Sequence, residues 1–411
     1  MRLLYNFGIK LYLLIIRLFA SWNPKARKWV NGRQNIFENL KNVILKDDKI
    51  VWFHAASLGE FEQGRPIIEE FKKKYPSYKL LLTFFSPSGY EVRKNYKGVD
   101  YIFYLPADTP SNVKKFLDIV NPQIAVFVKY EFWFNYIQEL DKRNIPLFIV
   151  SAIFRQNQHF FKPYGTFFRS GLKKVKHFFV QNEASGNLLK SIGINNYTVS
   201  GDTRFDRVAD IINQDVDLPV IQKFCKDKRV VVAGSTWPKD EIILKELLDR
   251  ETDDFRLLLA PHEIHKNHLD SIKQLFGDKA HFYSDKNIIN SNAKVLIIDC
   301  IGLLSKLYRF GQVTYIGGGF GVGIHNTLEA AVYGKPVFFG PNYDKFDEAK
   351  SLISIGAAFS INSSLELSKQ LELLWTANTY LKEVSNKAYS FVQDNKGATT
   401  AFMKHLEDYN L

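Results

Sequence analysis

Cysteine is almost missing: the 411 residues hold two, Cys225 and Cys300. They are too few and too isolated for a disulfide framework or a zinc site, which fits a reducing, cytoplasmic setting. The Gly-x-x-x-x-Gly-Lys-Ser/Thr, Gly-x-Gly-x-x-Gly and His-Glu-x-x-His motifs are also absent, which removes the common phosphate-cradle, dinucleotide and zinc-protease signatures. There is no low-complexity tract. No acidic residue occurs before Glu38. What remains is a chain with 46% hydrophobic residues, ample for two cores, and a length that suggests two domains. The net charge of +12 favours anionic partners. Beyond the N-terminus the basic residues do not gather in an aromatic-interleaved stripe, which argues against nucleic acid.

Residues 3–20 are strongly apolar, but Arg2, Asn6, Lys10 and Arg17 recur at helical spacing within one quadrant of a wheel. A basic stripe on an apolar helix is the pattern of a segment lying in a membrane interface. The run is borderline for a span, which needs about 20 mostly apolar residues. Lys25, Arg27, Lys28 and Arg33 follow and mark a cytoplasmic flank that attracts anionic head groups. A cleaved signal peptide is the rival reading, but Lys10 and Arg17 interrupt its apolar core. Residues 1–34 are therefore expected to be a membrane-associated segment.

Apolar runs at 79–86, 101–106, 123–131, 146–154, 177–181 and 197–201 read as strands, with helices at 112–120 and 135–143 between them. The pattern lapses into a polar turn near 206–219. It resumes at 229–235, 256–261, 280–284, 294–299, 312–318 and 336–340. Alternation of this kind implies α/β architecture with mostly parallel sheets, here two Rossmann-like domains at 35–208 and 209–411. The last helical region, 365–409, is free to pack back on the N-terminal domain.

The whole chain is organised around Lys49-Ile-Val-Trp-Phe-His-Ala-Ala-Ser-Leu-Gly-Glu-Phe-Glu-Gln-Gly-Arg-Pro66, a strand that breaks at small residues and enters a helix at 63–74. Ligands in open α/β sheets bind where such turns leave the carboxyl ends of strands. Glu60 there is either a general base or a first-turn acid favoured by the helix dipole. Glu62 reads as a solvated neighbour and His54 as structural. Glu131 closes another apolar strand; it either faces a ligand or pairs with Lys129 or Arg155. Arg204 could neutralise a phosphate or carboxylate through a bidentate contact.

In the second half, 315–341 runs from a strand through five glycines to a helix expected near Asn326. Such glycines let backbone N–H groups approach a ligand, and a helix N-terminus favours phosphate. Alternatively the glycines only make a tight turn. Gly234, Ser235 and Thr236 repeat the theme before a helix near Pro238, unless Thr236 is simply its cap. Asp215-Val-Asp217 spells the Asp-x-Asp of metal-dependent glycosyltransferases, but it falls in the linker, so no metal or other cofactor is expected.

Phe53-His-Ala-Ala-Ser-Leu-Gly-Glu60, Tyr130-Glu-Phe-Trp133, Gly201-Asp-Thr-Arg-Phe-Asp206, Gly234-Ser-Thr236 and Gly323-Ile-His-Asn-Thr-Leu-Glu329 occur in that order. As an ordered set they resemble the 3-deoxy-D-manno-octulosonic acid (Kdo) transferases of lipopolysaccharide synthesis, over nearly the whole chain. The resemblance implies two Rossmann-like domains facing a cleft, the B-type glycosyltransferase fold, at the cytoplasmic face of the inner membrane. It implies CMP-Kdo as donor and lipid IVA as acceptor, with Glu60 as catalytic base and Glu131 and Arg204 assisting the transition state. The CMP site would draw on Gly234, Ser235, Thr236, Pro261, His262, Ile301, Gly302, Leu303, Gly323, His325, Asn326, Thr327, Leu328 and Glu329. Pro261-His-Glu263 stands where the family often has Pro-Arg-His, Arg204 where many members have Lys, and Trp237 where His is common. The rival readings are another nucleotide-sugar enzyme of this fold, a UDP-sugar transferase or an epimerase, and a non-enzymatic membrane-surface or nucleic-acid-binding protein.

Overall fold

The computed structural model describes residues 1–213, 217–251, 254–285 and 293–409. The chain forms two compact units, Met1–Arg207 with Lys396–Leu411, and Val208–Asn395. Each contains one seven-stranded, all-parallel sheet. In the first unit the strands are β1 Ile50–Ala55, β2 Lys79–Phe84, β3 Tyr101–Tyr104, β4 Ile124–Val128, β5 Leu147–Ala152, β6 His177–Val180 and β7 Tyr197–Val199, in the order β3-β2-β1-β4-β5-β6-β7. In the second they are β8 Arg229–Thr236, β9 Phe255–Pro261, β10 Ala280–Phe282, β11 Val295–Ile297, β12 Val313–Ile316, β13 Val337–Phe339 and β14 Ala358–Ser360, in the order β10-β11-β9-β8-β12-β13-β14. The strand order reverses between β1 and β4, and again between β8 and β12. Those are the points at which open sheets bind ligands.

The sequence dictates the sheets directly. A parallel strand is covered on both faces, so it reads as a continuous apolar run rather than an alternating one. All six residues of β1 are buried, and so are all five of β4. The helix that follows β1 is Leu58–Lys74, longer at its start than the expected 63–74. It lays Phe61, Ile67, Ile68 and Phe71 on one face of the sheet, against Phe53, Leu82 and Val126. Gly64 permits the fit, because a Cβ there would stand 2.8 Å from Val128 Cγ2. The first turn of this helix, with Glu60 in it, is therefore fixed over the ends of β1 and β4. The opposite face is covered by Phe116, Leu117, Ile137 and Leu140, among others.

Helix Thr203–Ile212 occupies much of the stretch expected as a polar turn at 206–219. Its Asp206 explains where the chain end goes. The Asp206 carboxylate accepts from the backbone N–H groups of Gly397 (2.5 Å) and Thr399 (2.7 Å), at the start of helix Ala398–Glu407. Phe402, Met403 and Leu406 of that helix are buried with Phe148 and Phe179 of the first sheet. The region 365–409 is thus three helices, Ser364–Thr376, Asn378–Asp394 and Ala398–Glu407, and the last belongs to the first unit rather than to a domain at 209–411.

The N-terminal segment also belongs to the first unit. Its helix Arg2–Phe19 buries no residue fully, yet it is anchored. The Tyr5 hydroxyl donates to Asp108 (2.6 Å), which also accepts from the N–H groups of Asn135 and Tyr136. Burial pushes the Asp108 carboxyl up to about 6, and those three donors oppose the shift. Asn6 accepts from Asn135 Nδ2 (2.8 Å), so this member of the basic-side stripe faces the domain instead of solvent. Leu3, Leu4, Phe7, Leu11, Leu14, Ile15 and Leu18 remain exposed. Helix Pro24–Asn31 follows at a 120° bend, and among the described residues no single helix is long and apolar enough to cross a membrane.

Candidate active site

In the first unit the turns after β1 and β4, neighbours at the reversal of strand order, carry the candidate acids. Ser57 is the N-cap of helix Leu58–Lys74 and Glu60 follows three residues later, the spacing of a capping box. The box is not formed. Ser57 makes no side-chain cap; its hydroxyl donates to the Glu60 carboxylate. Glu60 is half-buried. Glu62 is not a solvated neighbour: it is held by Arg93 (2.6 Å) and Arg207 (2.6 Å).

Glu131 is 8% exposed. Its partners are neither Lys129 nor Arg155. His54 Nε2 lies 3.1 Å from Glu131 Oε2, and Trp133 Nε1 donates to the same oxygen at 2.7 Å. His54 is wholly buried. Its Nδ1 is 2.9 Å from the Thr83 hydroxyl, which accepts from Trp52 Nε1 at 2.8 Å. His54 Nδ1 also lies 3.0 Å from the Thr83 carbonyl, so both ring nitrogens are held, one by Thr83 and the other by Glu131. His54 is thus a positioning residue for Glu131, as a structural histidine would be. The link was not legible because its members lie on β1, β2 and the turn after β4.

Arg204 begins helix Thr203–Ile212. Its Nε donates to Asp202 (2.8 Å), and Asp202 in turn accepts from Gln63 of the β1 helix (3.1 Å). Burial raises the Tyr130 phenol; the Arg155 and Arg204 guanidinium groups pull it down and the Glu60 carboxylate pushes it up. The Arg155 guanidinium carbon stands 5.9 Å from the Tyr130 ring centroid.

In the second unit the expected nucleotide turns leave β8, β9 and β12 at the carboxyl edge of the sheet. The residues meant to line them separate into two sets. Ser235, His262, Ile301, Gly302, Leu303, Gly323, His325, Asn326 and Glu329 are exposed or half-exposed, whereas Gly234, Thr236, Pro261, Thr327 and Leu328 are buried. The Thr236 hydroxyl donates to Glu241 (3.0 Å), so Thr236 neither caps the helix Pro238–Arg250 nor presents its hydroxyl to a ligand. The glycines also change meaning. A Cβ on Gly317 would meet Ser235 O at 2.2 Å, and one on Gly319 would meet Gly340 N at 2.4 Å. Neighbouring backbone, before any ligand, requires them. The helix expected near Asn326 is the short Leu328–Ala331. Asn326 prepares it, accepting from Leu328 N–H (3.1 Å) and donating to Glu329 (3.1 Å).

Two features had escaped the sequence. Asp240 is 1% exposed and accepts from Trp237 N–H (2.9 Å), Tyr315 hydroxyl (2.8 Å) and Gly318 N–H (2.8 Å), bracing the β8 turn to the glycine loop. An acid three residues past the N-cap was the available signal. Second, Trp237, His262 and His325 stack, with centroids 4.7 Å and 4.3 Å apart. Burial pushes His325 down to about 4, and the His262 charge adds to the shift. His325 is therefore neutral at physiological pH.

Among the described residues no group of three or more His, Cys, Asp or Glu side chains could hold a metal ion, and Asp215 of the Asp-x-Asp lies outside them.

Residues 30–207 match the family model described as 3-deoxy-D-manno-octulosonic-acid transferase (kdotransferase). The chain is 25% identical to the 3-deoxy-D-manno-octulosonic acid transferase of Haemophilus influenzae, over 97% of this chain and 95% of that protein. It is 28% identical to the Aquifex aeolicus protein of the same name, over 84% and 93%. Among solved structures, UDP-GlcNAc 2-epimerase from Neisseria meningitidis aligns with TM-score 0.61 at 16% identity, over 87% of this chain and all of that one (100%). A glycosyltransferase from Rickettsia africae aligns with TM-score 0.57 at 15% identity, over 88% and 98%. At those identities the structural likeness establishes the two-Rossmann-domain fold shared by B-type glycosyltransferases and these epimerases, and nothing about substrates.

Proposed function

For a chain that belongs to the Kdo transferase family of glycosyltransferases, we propose that it moves Kdo from CMP-Kdo to lipid IVA with inversion at the anomeric carbon, at the cytoplasmic face of the inner membrane. The observation that carries the proposal is the placement of Glu60 and Glu131 on the turns after β1 and β4, where strand order reverses, with Arg204 linked to the same helix as Glu60 through Asp202 and Gln63. Glu60 is spared from capping its helix and receives only the Ser57 hydroxyl among the described side chains. In this reading it takes the proton from the acceptor hydroxyl, whose oxygen attacks the anomeric carbon as the bond to CMP breaks. The electron pair leaves on the CMP phosphate. Arg204, oriented through Asp202, offsets negative charge on phosphate or sugar carboxylate; Glu131, fixed by His54 and Trp133, faces the developing sugar cation.

The donor nucleotide is assigned to the turns of the second unit, with His262, His325, Asn326 and Glu329 as its exposed polar groups. His325, being neutral, offers the nucleotide a hydrogen-bonding ring rather than a fixed charge. In this reading Arg204 supplies the cationic charge and no metal is invoked.

The test is incubation of purified protein with CMP-Kdo and lipid IVA, with and without EDTA, followed by mass spectrometry and NMR of the lipid. Kdo-bearing lipid of inverted configuration, formed equally in EDTA, supports the proposal. Product retaining the donor's anomeric configuration, strict magnesium dependence, or protection by UDP instead of CMP overturns the corresponding part.

A further inference from the structure

Two cavities flank the indole of Trp29 beneath the N-terminal helix. One, of about 340 Å³, is walled by Tyr12, Ile16, Trp29 and Phe85, with Lys25 at its edge. The other, of about 390 Å³, is lined by Leu13, Arg17, Trp29, Arg33 and Asn112. Both fall in the range of roughly 300–1,000 Å³ typical of ligand pockets. Trp29 lines both; the second sets its two arginines among Leu13, Val30, Ile36 and Phe37, whereas the first has aromatic walls and a single cation.

Arg33 is the unusual member. Its Nε donates to Leu105 O (2.8 Å), Nη1 to Trp29 O (3.0 Å) and Nη2 to Phe85 O (2.8 Å). Its guanidinium carbon stands 3.7 Å from the Trp29 ring centroid and 4.8 Å from that of Tyr104. No carboxylate pairs with it among the described residues. Burial pushes Arg33 down to about 9, against the Tyr104, Tyr12 and Tyr136 phenols, which leaves it cationic at neutral pH. A largely buried cation without a counter-ion is costly unless an anion completes it. Nearby, the buried Trp29 indole N–H has no acceptor among the described residues. Both observations call for an acidic group at this place.

The apolar cavity leads toward the candidate acids. The Phe85 ring lies 4.7 Å from Trp133, whose N–H holds Glu131. One aromatic layer thus separates the cavity from the first unit's reaction turns. On its outer side the same helix presents its exposed leucines and phenylalanine to solvent.

We infer that this is a binding site for the phosphorylated, acylated acceptor: a phosphate seats against Arg33 and Arg17 on one side of Trp29, and an acyl chain enters the Tyr12–Ile16–Phe85 cavity on the other. The inference rests on the acceptor reading above and adds residues to it. Trp29 then acts as a divider that registers head group against chain. A bulk phospholipid would satisfy the exposed helix face without entering either cavity, whereas the acceptor must reach the Glu131 turn.

Two variants of the full chain test the site. Ile16→Trp fills the apolar cavity, and Arg17→Glu reverses charge at the mouth of the other. Binding is measured to detergent-dispersed lipid IVA, to its deacylated, still diphosphorylated form, and to phosphatidylglycerol vesicles, with hydrogen-exchange protection of β1 and β4 as the check on folding. Ile16→Trp should weaken lipid IVA at least tenfold while leaving the deacylated form and the vesicles within twofold; Arg17→Glu should weaken both acceptor forms at least tenfold. Unchanged lipid IVA binding in both variants overturns the site. So does a loss of vesicle binding in step with lipid IVA for Ile16→Trp, which gives the cavity to bulk phospholipid. If the wild type binds lipid IVA as described but transfers no Kdo, the proposed reaction falls and the binding site stands. If it transfers Kdo with either variant unaffected, the reverse holds.

Discussion

Glu60 stands three residues after an N-cap serine, where a carboxylate ordinarily reaches back to cap its own helix. Here Ser57 donates to it instead. The side chain is left oriented at the strand end rather than consumed by the backbone. Glu60→Gln keeps the size and the hydrogen bond from Ser57 but cannot accept a proton. Its kcat should fall by about 10²–10⁴-fold, the usual contribution of a general base, with CMP affinity unchanged by calorimetry. Retention of more than a tenth of the wild-type rate would return Glu60 to the status of a first-turn acid. His325 sets a second expectation at this scale. Its folded-state pKa is depressed from 6.5 to about 4, so the folded protein binds fewer protons than the unfolded chain between those values. The stability it contributes is complete above pH 6.5 and is lost as pH falls through about 4. His177 is pushed down to about 4 as well, by burial first and by His405 second. In an NMR titration, the His325 and His177 imidazole signals should therefore stay neutral until about pH 4, and His325→Gln should remove the first.

Among the elements, the closing helix Ala398–Glu407 is the clearest case of a segment whose place is decided by distant partners. Phe402 is fully buried, with ring centroids 5.9 Å from Phe148 and 5.2 Å from Phe179. Phe402→Ala should cost the first unit about 3–5 kcal/mol, and Asp206→Ala about 0.5–2 kcal/mol through the lost N-terminal contacts, both read by hydrogen exchange in β5 and β6. Protection unchanged in Phe402→Ala would mean that the helix is not part of that core. The sequence could place a helix here, because its apolar spacing is local, but not Asp206 as its partner 191 positions away. The same contrast runs through the chain. β1, β4, β8 and β9 were legible because doubly covered strands are long apolar runs. β14, Ala358–Ser360, was not, being three residues without such a run. The start of the β1 helix was hidden by Gly59, which read as a breaker, whereas Gly64 lay inside the expected helix and the approach to Val128 explains it. At the candidate site, Glu60, Glu131 and Arg204 could be named from their turns. The His54–Thr83 contact, the Asp240 brace and the Trp237–His262–His325 stack could not, because each joins residues far apart in sequence.

For the molecule as a whole, the charge of +12 and the N-terminal helix belong to one argument. Tyr5 and Asn6 fasten one side of the helix to Asp108 and Asn135, while Leu4, Phe7, Leu11, Leu14 and Leu18 face outward beside Arg2, Lys10 and Arg17. An apolar strip edged by cations suits the interface of an anionic bilayer without crossing it. Removing residues 1–22 should abolish sedimentation with anionic vesicles and leave CMP binding intact, since every residue assigned to the nucleotide lies in the second unit. A truncated protein that still sediments would place the membrane contact elsewhere.

The Asp206 contact has a further consequence, topological rather than energetic. The chain leaves the first unit after Arg207 and re-enters it at Lys396, so Val208–Asn395 is an insert spliced into its host. Asp206, one residue before the exit, grips Gly397, one residue past the re-entry. Both ends of the insert are thereby clasped at one point. The second unit is a loop closed on its host, and a single cut in its backbone leaves it still tied on by the other end.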